Sequence, residues 1–419
     1  RAYNGERLVD YQTTHTGTIL DGDRLVVVFP ADAGLTDAGS KKNEYASYYV
    51  ERISTGEIIT ANYTFGEPVI GTLTVTPVEI ELTANSASKQ YDGTPLADSG
   101  YSITKGAFVT RNEKIDGKYV DVPEGLTSVT VEGSQTVKGS SANKITGYEL
   151  NGETKAQNYD IKYVDGTLTV SQNEKAITVT ANSHTWEYDG KEHSDGGYTV
   201  RYDGKDYTAE AGESVELPTG DLTLTATVVG TVKNVADSAK DNNKITVVTI
   251  TDAAGEVVND QFKTITLVPG TLTITRRGAG EEKVVLTAAN NTVVYDGKEH
   301  GAKLNAAGVI EAGTSYTITY LAYGHSVQTV DIAGGRTYVG TYPDELVPSS
   351  AVIVDENDVD VTANYVVGYE KGNLQIVAPG TVVVEIKGTR SSVVYDGSKH
   401  EVNDYTVVSI SNSAYTKAD

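Results

Sequence analysis

The sequence contains no cysteine and no methionine among its 419 residues. The missing cysteine excludes disulfide bonds, thiolate nucleophiles, iron–sulfur clusters and cysteine-ligated zinc. Because methionine is missing even at position 1, we expect the chain to be a processed or excerpted part of a longer product. No apolar run approaches the ~20 residues of a membrane-spanning helix, and no signal segment opens the chain. Any targeting signal is therefore expected outside this segment.

Basic residues are also scarce, with 34 Lys plus Arg against 57 Asp plus Glu and a formal net charge of −23. A surface that binds nucleic acid needs clustered Lys and Arg, so this balance argues against a nucleic-acid partner. Aromatic content is skewed to 27 tyrosines against four phenylalanines and one tryptophan. Tyrosine suits thin β-domains, because its ring packs on a pleated sheet while its hydroxyl tolerates water.

Three short motifs recur in a fixed order at intervals of about 100 residues, the mark of a tandem repeat. The turn motif, a Tyr followed by Asn or Asp and then Gly, occurs at Tyr3-Asn4-Gly5, Tyr91-Asp92-Gly93, Tyr188-Asp189-Gly190, Tyr295-Asp296-Gly297 and Tyr395-Asp396-Gly397. The amide–aromatic motif occurs at Asn62-Tyr63, Asn158-Tyr159 and Asn364-Tyr365, with Gln261-Phe262 in the third copy. The last-strand motif, of the type Gly-Thr-Leu-Thr-Val, occupies 71–75, 166–170, 270–274 and 372–376.

Each motif predicts a local structure. In the turn motif the Asp can bond its own backbone and the Gly can take a positive φ, which predicts a tight turn behind an aromatic anchor. The last-strand motif alternates apolar and polar residues, as a half-buried strand does. We interpret the Asn of the amide–aromatic motif as the cap of a turn beside its Tyr, in preference to one partner of an isopeptide crosslink. Short alternating strands with frequent turn signals predict an antiparallel β-sandwich in each repeat.

The motif spacing predicts domains at 1–76, 77–171, 172–275 and 276–379, and the start of a fifth repeat at 380–419. The first repeat lacks the strand that precedes the turn motif in the internal copies. Two interpretations stay open: an excerpt from a longer array, or a head-to-tail polymer in which the C-terminal piece donates the missing strand. The tight 76–77 junction predicts neighbouring domains nearly in line, whereas 276–280 predicts a more flexible joint.

Tandem units with these motifs resemble the MBG-type and YDG-type immunoglobulin-like repeats of large bacterial surface proteins. The segment 295–300, Tyr-Asp-Gly-Lys-Glu-His, carries the resemblance best, together with Asn158-Tyr159 and 166–170. The resemblance implies tandem immunoglobulin-like β-sandwiches in an elongated rod, outside the cell, on a bacterial surface or secreted. It also implies a stalk or adhesive role and brings no catalytic residues.

Few residues are candidates for catalysis or metal binding. His193, His300 and His400 follow their motif Tyr by five residues, but Leu8 and Leu96 hold that place in the first two copies, which indicates a packing position. The acidic segment 355–360 offers weak calcium candidates at Asp355, Asp358 and Asp360, against the simpler reading of a solvated acidic turn. No nucleophile elbow or phosphate-binding loop is present, so we expect no enzyme activity and no cofactor other than this weak calcium option.

Three functions therefore remain on the sequence alone. The first is a stalk or adhesive segment whose partners are its own neighbouring repeats. The second is a filament subunit that pairs with other copies of itself. The third is a module that binds glycans or proteins of a host or bacterial surface, for which the single Trp186 could provide an aromatic platform, although a core or rim position is commoner for such a residue.

Overall fold

The computed structural model describes residues 1–412 and 415, and this part of the chain is all-β, with short 3-10 helices as its only helical elements. The predicted all-β class is confirmed. The chain divides into two compact units. The first comprises Arg1–Ala176, Glu216–Thr223 and Ile250–Thr264, and the second Ile177–Val215, Leu224–Thr249 and Ile265–Asp419. Within the residues that are described, no helix is long and apolar enough to cross a membrane.

The first repeat is the most sparsely built. Its elements are β1 (Asp23–Val28), β2 (Gly39–Lys42), β3 (Ser47–Arg52), η1 (Thr60–Asn62) and β4 (Thr72–Val75). β1 pairs with β3 and β2 with β4, both antiparallel. The segments 9–22 and 63–71 contain no strand.

The second repeat is a complete two-layer sandwich. Its elements are β5 (Val78–Ala84), β6 (Ala87–Gln90), β7 (Tyr101–Lys105), β8 (Thr110–Ile115), β9 (Lys118–Pro123), β10 (Leu126–Glu132), β11 (Gly139–Leu150), η2 (Ala156–Asn158), β12 (Tyr159–Val164) and β13 (Gly166–Ser171). One sheet has the order β10-β11-β13-β6 and the other β12-β5-β7, with β8–β9 as a separate hairpin. Ile80 and Leu82 of β5 share one buried cluster with Ile145 of β11, so the two sheets face each other across a common core.

The third repeat repeats this plan with short strands. Its elements are β14 (Ile177–Ala181), β15 (His184–Glu187), β16 (Tyr198–Tyr202), β17 (Lys205–Ala209), β18 (Ser214–Glu216), β19 (Thr223–Val229), η3 (Val235–Asp237), β20 (Lys244–Thr251), η4 (Asn259–Gln261), β21 (Ile265–Val268) and β22 (Leu272–Thr275). The strand orders are β17-β16-β14-β21, β15-β22 and β18-β19-β20.

The fourth repeat and the fragment after it complete the described chain. Their elements are β23 (Val284–Ala288), β24 (Asn291–Val294), β25 (Tyr316–Ile318), β26 (Ser326–Ala333), β27 (Gly340–Val354), η5 (Thr362–Asn364), β28 (Val367–Glu370), β29 (Gly372–Val377), β30 (Val384–Gly388) and β31 (Tyr405–Ile410). The sheets have the orders β24-β29-β27-β26 and β25-β23-β28, and β30 and β31 form a two-stranded antiparallel hairpin.

Each internal repeat also contains two parallel strand pairs among the predicted antiparallel ones. The first strand of the repeat pairs in parallel with the strand after the amide–aromatic motif, as β5 does with β12. The second strand pairs in parallel with the last strand, as β6 does with β13. The third and fourth repeats have the same pairs. The opening segment of each repeat therefore divides between both sheets, which alternation cannot reveal because it fixes the buried face and not the partner.

Candidate functional site

The turn motif of one repeat packs against the amide–aromatic motif of the next. The two rings meet edge to face at three junctions, as Tyr3–Tyr159 (5.9 Å, 79°), Tyr91–Phe262 (6.0 Å, 82°) and Tyr188–Tyr365 (5.4 Å, 82°). All three motif tyrosines are at most 3% exposed. Edge-to-face pairs contribute about 0.5–1.5 kcal/mol beyond the area that they bury. Motifs that are far apart in sequence thus form one joint between repeats.

The hydrophobic core runs through the first and the third of these joints. In the first unit one buried cluster contains Tyr3 and Val75 of the first repeat with Ile80 and Tyr159 of the second. In the second unit one cluster contains Tyr188 and Ile274 of the third repeat with residues of the fourth, Tyr365 among them. Two repeats at such a junction therefore share one hydrophobic cluster, and neither has a fully separate core.

The glycine of the turn motif is required by both conformation and space. Gly5, Gly93 and Gly190 have φ of 78°, 79° and 81°, a region that favours glycine. Each also touches the following repeat so closely that a β-carbon would collide. The collisions would be with Arg111 Cγ at 2.8 Å for Gly5, Gly220 Cα at 2.8 Å for Gly93 and His325 Nε2 at 2.7 Å for Gly190. The sequence predicted the positive φ but gave no sign of the close approach.

The amide of the amide–aromatic motif reaches back to the preceding repeat. Its side-chain oxygen accepts a hydrogen bond from a backbone N–H there: Asn158 from Ala38 (2.7 Å), Gln261 from Lys138 (2.6 Å) and Asn364 from Val235 (2.8 Å). The three amide residues are buried. The interpretation as a cap within the same repeat is therefore wrong, because the unpaired backbone group that the amide satisfies belongs to the neighbour.

The amide–aromatic motif of the first repeat stands in a different environment. Asn62 is exposed. The Tyr63 hydroxyl donates to Asp23 Oδ2 at 2.6 Å, so it bonds within its own repeat.

A buried carboxylate supports the joint between the first and second repeats. Glu124 accepts hydrogen bonds from the hydroxyls of Tyr3 (2.7 Å) and Tyr159 (2.6 Å), and the Arg111 guanidinium lies 2.7 Å from the same carboxylate. The Glu124 side chain is 1% exposed, and its charge is matched by these three partners. Burial, followed by the bond to Glu124, raises the pKa of both tyrosine hydroxyls well above the usual value.

The joint between the second and third repeats uses an asparagine in the linker. Asn173 donates from Nδ2 to the Tyr91 carbonyl at 3.0 Å. Its backbone N–H bonds the Gln261 carbonyl at 2.8 Å, and its carbonyl accepts from the Lys263 N–H at 3.0 Å. Lys138 and Asp260 add an ion pair at 3.1 Å. The linker is thus held by both motifs that it connects.

The joint between the third and fourth repeats places a histidine beside the motif tyrosine. The Tyr365 hydroxyl and His325 Nδ1 are 2.7 Å apart, and the same imidazole ring lies against Tyr188. Burial lowers the pKa of His325. The neutral ring can act as an acceptor for the Tyr365 hydroxyl, which a doubly protonated ring cannot.

Arg277 and Glu187 anchor the linker of this same joint. Arg277 stacks on the Tyr320 ring at 3.9 Å and donates to the carbonyls of Tyr320 (2.8 Å) and Tyr188 (3.3 Å). Glu187 accepts from the Tyr320 hydroxyl at 2.6 Å and from the Gly278 N–H at 3.0 Å. The segment 276–280, predicted as a flexible joint, is tied by bonds from both repeats.

Each recurrent histidine contacts the Asp of the turn motif in its own repeat. Nε2 of His193, His300 and His400 lies 2.9, 2.8 and 2.9 Å from Oδ1 of the motif Asp, namely Asp189, Asp296 and Asp396. The same Oδ1 accepts a backbone N–H two residues later. At Asp296 that backbone bond and the contact with His300 lower the pKa of the carboxyl. In the second repeat Leu96 replaces the histidine, and Lys89 takes its place by donating from Nζ to Oδ1 of Asp92 at 2.7 Å. The Thr94 N–H donates to the same Oδ1, as in the other repeats.

The acidic segment 355–360 is a capped turn. Oδ1 of Asp355 accepts the N–H groups of Asn357 and Val359, at 2.9 and 3.0 Å, and Oδ1 of Asp360 accepts that of Thr362 at 2.9 Å. Asp358 holds a positive φ of 60°. Among the residues described, no three His, Asp or Glu side chains are grouped so that they could hold a metal ion.

Trp186 stacks with two imidazole rings. His184 lies at 4.2 Å with an interplanar angle of 3°, and His193 at 4.9 Å with 18°. Trp186 is half-buried and packs against the buried cluster that contains Tyr188 and Tyr365.

No family model matches the chain, and no curated protein matches it. Similar solved structures include the human desmocollin-1 ectodomain, at 8% identity and a TM-score of 0.15 over 82% of this chain and 70% of that one. They also include Drosophila N-cadherin EC1-4, at 8% identity and a TM-score of 0.16 over 90% of this chain and 96% of that one. Similarity at this level carries no argument about function.

Proposed function

We propose that the chain is a non-enzymatic, extracellular repeat array that serves as a stalk or adhesive segment of a bacterial surface protein. The observation that carries the proposal is the shared joint, in which the turn motif of one repeat packs into the amide–aromatic motif of the next at three successive junctions. A catalytic role would require converging reactive groups, whereas here the recurrent residues converge on the contacts between repeats.

Such joints resist bending for a physical reason. Tilting one repeat away from the next at the first junction would separate the rings of Tyr3 and Tyr159 and expose the charge of Glu124. Each buried polar group that loses its partner costs about 1–3 kcal/mol, more if it is charged. A chain of stiff joints holds a distant part of a protein away from the cell, which is the task of a stalk.

Net charge supports the same role. A charge of −23 makes neighbouring copies repel one another laterally. Because the chain has no cysteine, its stability does not depend on the redox state of the surroundings.

Small-angle X-ray scattering of the purified 419-residue chain tests the proposal. If the four repeats stand in line, as the motif spacing predicts, strands that rise roughly 3.3 Å per residue give a rod with a maximum dimension on the order of 150 Å. A compact particle of the same mass would contradict the stalk. The variant Gly93→Val is expected to broaden the distance distribution, whereas Gly117→Val, at an exposed turn with no neighbour, is expected to leave it unchanged.

A further inference from the structure

The opening and closing segments of each internal repeat run side by side in the same direction. In the second repeat β5 pairs in parallel with β12 in one sheet, and β6 pairs in parallel with β13 in the other. Facing residues keep the same offset through both pairs. They are Val78 with Tyr159, Thr83 with Val164, Ala87 with Leu168 and Gln90 with Ser171. The two pairs therefore form one parallel ladder, between 78–90 and 159–171, that passes from one sheet to the other.

The third and fourth repeats have the same ladder, each with its own constant offset. In the third repeat it joins 177–187 to 265–275, and in the fourth it joins 284–294 to 367–377. The first strand of every ladder carries two side chains that are 0% exposed. They are Ile80 and Leu82, Ile177 and Val179, and Val284 and Leu286. The core of each repeat thus keeps water from the inner face of its ladder.

The glycine of the last-strand motif lets both strands of the ladder change sheets together. A β-carbon at Gly166 would lie 2.1 Å from the Asn85 carbonyl oxygen. The corresponding distances are 2.0 Å from the Asn182 oxygen at Gly270 and 2.7 Å from the Ala288 oxygen at Gly372. None of these three glycines has a positive φ. The position therefore requires glycine for space and not for backbone conformation.

A side chain bridges the ladder at this crossing. The residue after the motif glycine donates its backbone N–H to a side-chain oxygen of the opening segment, at the offset of the ladder. The bonds join Thr167 to Ser86 Oγ at 3.0 Å, Thr271 to Ser183 Oγ at 2.9 Å and Asn373 to Asn290 Oδ1 at 2.7 Å. The ladder is therefore hydrogen-bonded where the strands leave one sheet and enter the other.

The motif tyrosine supplies the last hydrogen bond of the ladder. Its backbone N–H donates to the carbonyl of the final residue of the last strand. The pairs are Tyr91 with Ser171 at 2.8 Å, Tyr188 with Thr275 at 2.9 Å and Tyr295 with Val377 at 3.0 Å. The backbone of this tyrosine thus belongs to the ladder of its own repeat, whereas the rings of Tyr91 and Tyr188 pack against the next repeat.

The direction of the ladder sets how a repeat responds to tension. When the chain is pulled along its length, force enters a repeat at the start of its opening segment and leaves at the end of its last strand. In a parallel ladder these two points lie at opposite ends, so the force slides one strand along the other. The evenly spaced hydrogen bonds of a parallel pair are then loaded together. Pulling on the same end of both strands would instead break them one after another.

We propose that the parallel ladder of the internal repeats is a force-bearing clamp, and that resistance to tension along the chain is a function of these repeats. Forced unfolding is governed by the unfolding rate, and many hydrogen bonds that must break together slow that step. The purpose of the clamp rests on the proposed stalk role, because a stalk carries tension between its two ends. The clamp itself is measured by pulling, whatever the shape of the chain, so it and the rod can fail separately.

Single-molecule pulling of the full chain in two directions tests the clamp. Because the chain has no cysteine, two introduced thiols define where the force acts. Pro77→Cys with Ser171→Cys pulls on opposite ends of the ladder of the second repeat, and Pro77→Cys with Asp160→Cys pulls on the same end. All three residues are exposed, and Asp160 faces Glu79. We expect the unfolding force to be at least twofold higher for the first thiol pair. Equal forces in the two directions would overturn the proposal.

A glycine substitution tests the crossing. Gly166→Ala, combined with each thiol pair, should lower the force between opposite ends more than the force at the same end, because its methyl group collides with the Asn85 carbonyl. The matched control is Gly147→Ala, at a glycine of β11 with open space around it and no positive φ. Equal effects of the two variants would contradict a ladder that runs through the crossing. If Gly166→Ala does not fold, the comparison of the two directions in the chain with its native glycines decides.

Discussion

Tyr188 and Tyr365 lie edge to face with their ring centroids 5.4 Å apart, although they come from the opening turn of one repeat and the closing part of the next. Tyr3 with Tyr159, and Tyr91 with Phe262, repeat the relationship. The two motifs that define the repeat in sequence therefore act as a pair in space. Five testable consequences concern this pairing.

Tyr188→Ala should destabilise the second compact unit by about 3 kcal/mol or more, because truncating a buried aromatic residue leaves a cavity. Thermal unfolding followed by near-ultraviolet circular dichroism measures the change. Tyr323→Ala, at a residue that is 98% exposed, is the matched control and should have almost no effect. Equal losses from both variants would contradict the structural role of Tyr188.

Gly93→Ala should destabilise the joint between the second and third repeats by about 1–3 kcal/mol more than a control glycine, because its methyl group collides with Gly220. Gly117→Ala is that control, since it has a similar φ of 83° and open space around it. The difference between the two variants in chemical denaturation isolates the close approach from the backbone strain. Equal effects would show that conformation alone selects the glycine.

Glu124→Gln should lower the free energy of unfolding of the first unit by about 1.5–3 kcal/mol, the usual contribution of a hydrogen bond to a charged group. The variant keeps the size of the side chain and removes the charge that pairs with Arg111 and accepts from two tyrosines. Glu149→Gln, at an exposed residue near the end of β11 in the same repeat, provides the control for a general charge effect. No difference between the two would argue against the buried network.

Tyrosine ionisation gives a prediction at alkaline pH. The pKa values of Tyr3 and Tyr159 are raised in the folded state, so the stability from their hydroxyl bonds is fully present below pH ~10, the ordinary tyrosine pKa, and is lost above it. A titration followed by tyrosinate absorbance counts the tyrosines that ionise early and late. Replacing both Tyr3 and Tyr159 by Phe should remove two late-titrating groups and leave the number of early-titrating groups unchanged. If both hydroxyls ionise at the same pH as the exposed tyrosines, their hydrogen bonds to Glu124 are contradicted.

His325 gives the opposite prediction on the acid side. Because its pKa is lowered on folding, its contribution to stability is present above pH ~6.5 and is lost as the pH falls below that value. The negative charges of Asp355 and Glu356 raise the pKa of the His325 ring, and the positive charges of Lys233 and Arg277 lower it. Because these charges oppose one another, burial decides the direction of the shift. His325→Gln should flatten the stability of the second unit between pH 7 and 5. An unchanged pH profile would contradict this role.

The sequence was sufficient for part of the fold. The turn at Asp189-Gly190 and the alternation of Leu168 and Val170 follow from local chemistry, and the structure has a positive φ at Gly190 and both apolar residues buried. The parallel pairing of β5 with β12 could not be predicted in this way, because alternation specifies which face is buried and leaves the partner open. Strand direction follows from tertiary contacts.

The joints were missed for a related reason. Glu124, Arg277 and Glu187 occur once each and belong to no repeated pattern, so nothing marked them as junction residues. One signal was present: Gln261-Phe262 replaces both members of the amide–aromatic motif in the third copy. A paired replacement indicates a shared environment, but the identity of that environment required three-dimensional contacts.

The close fit of Gly5, Gly93 and Gly190 to the following repeat means that no repeat carries a whole joint. A cut between two repeats leaves a tyrosine knob on one piece and its socket on the other. The smallest fragment with an intact joint is therefore a pair of repeats. Repeats joined in another order would not fit one another, because the Tyr365 hydroxyl bonds a histidine where the Tyr159 hydroxyl bonds a glutamate. The contacts at each joint therefore specify which repeat follows which.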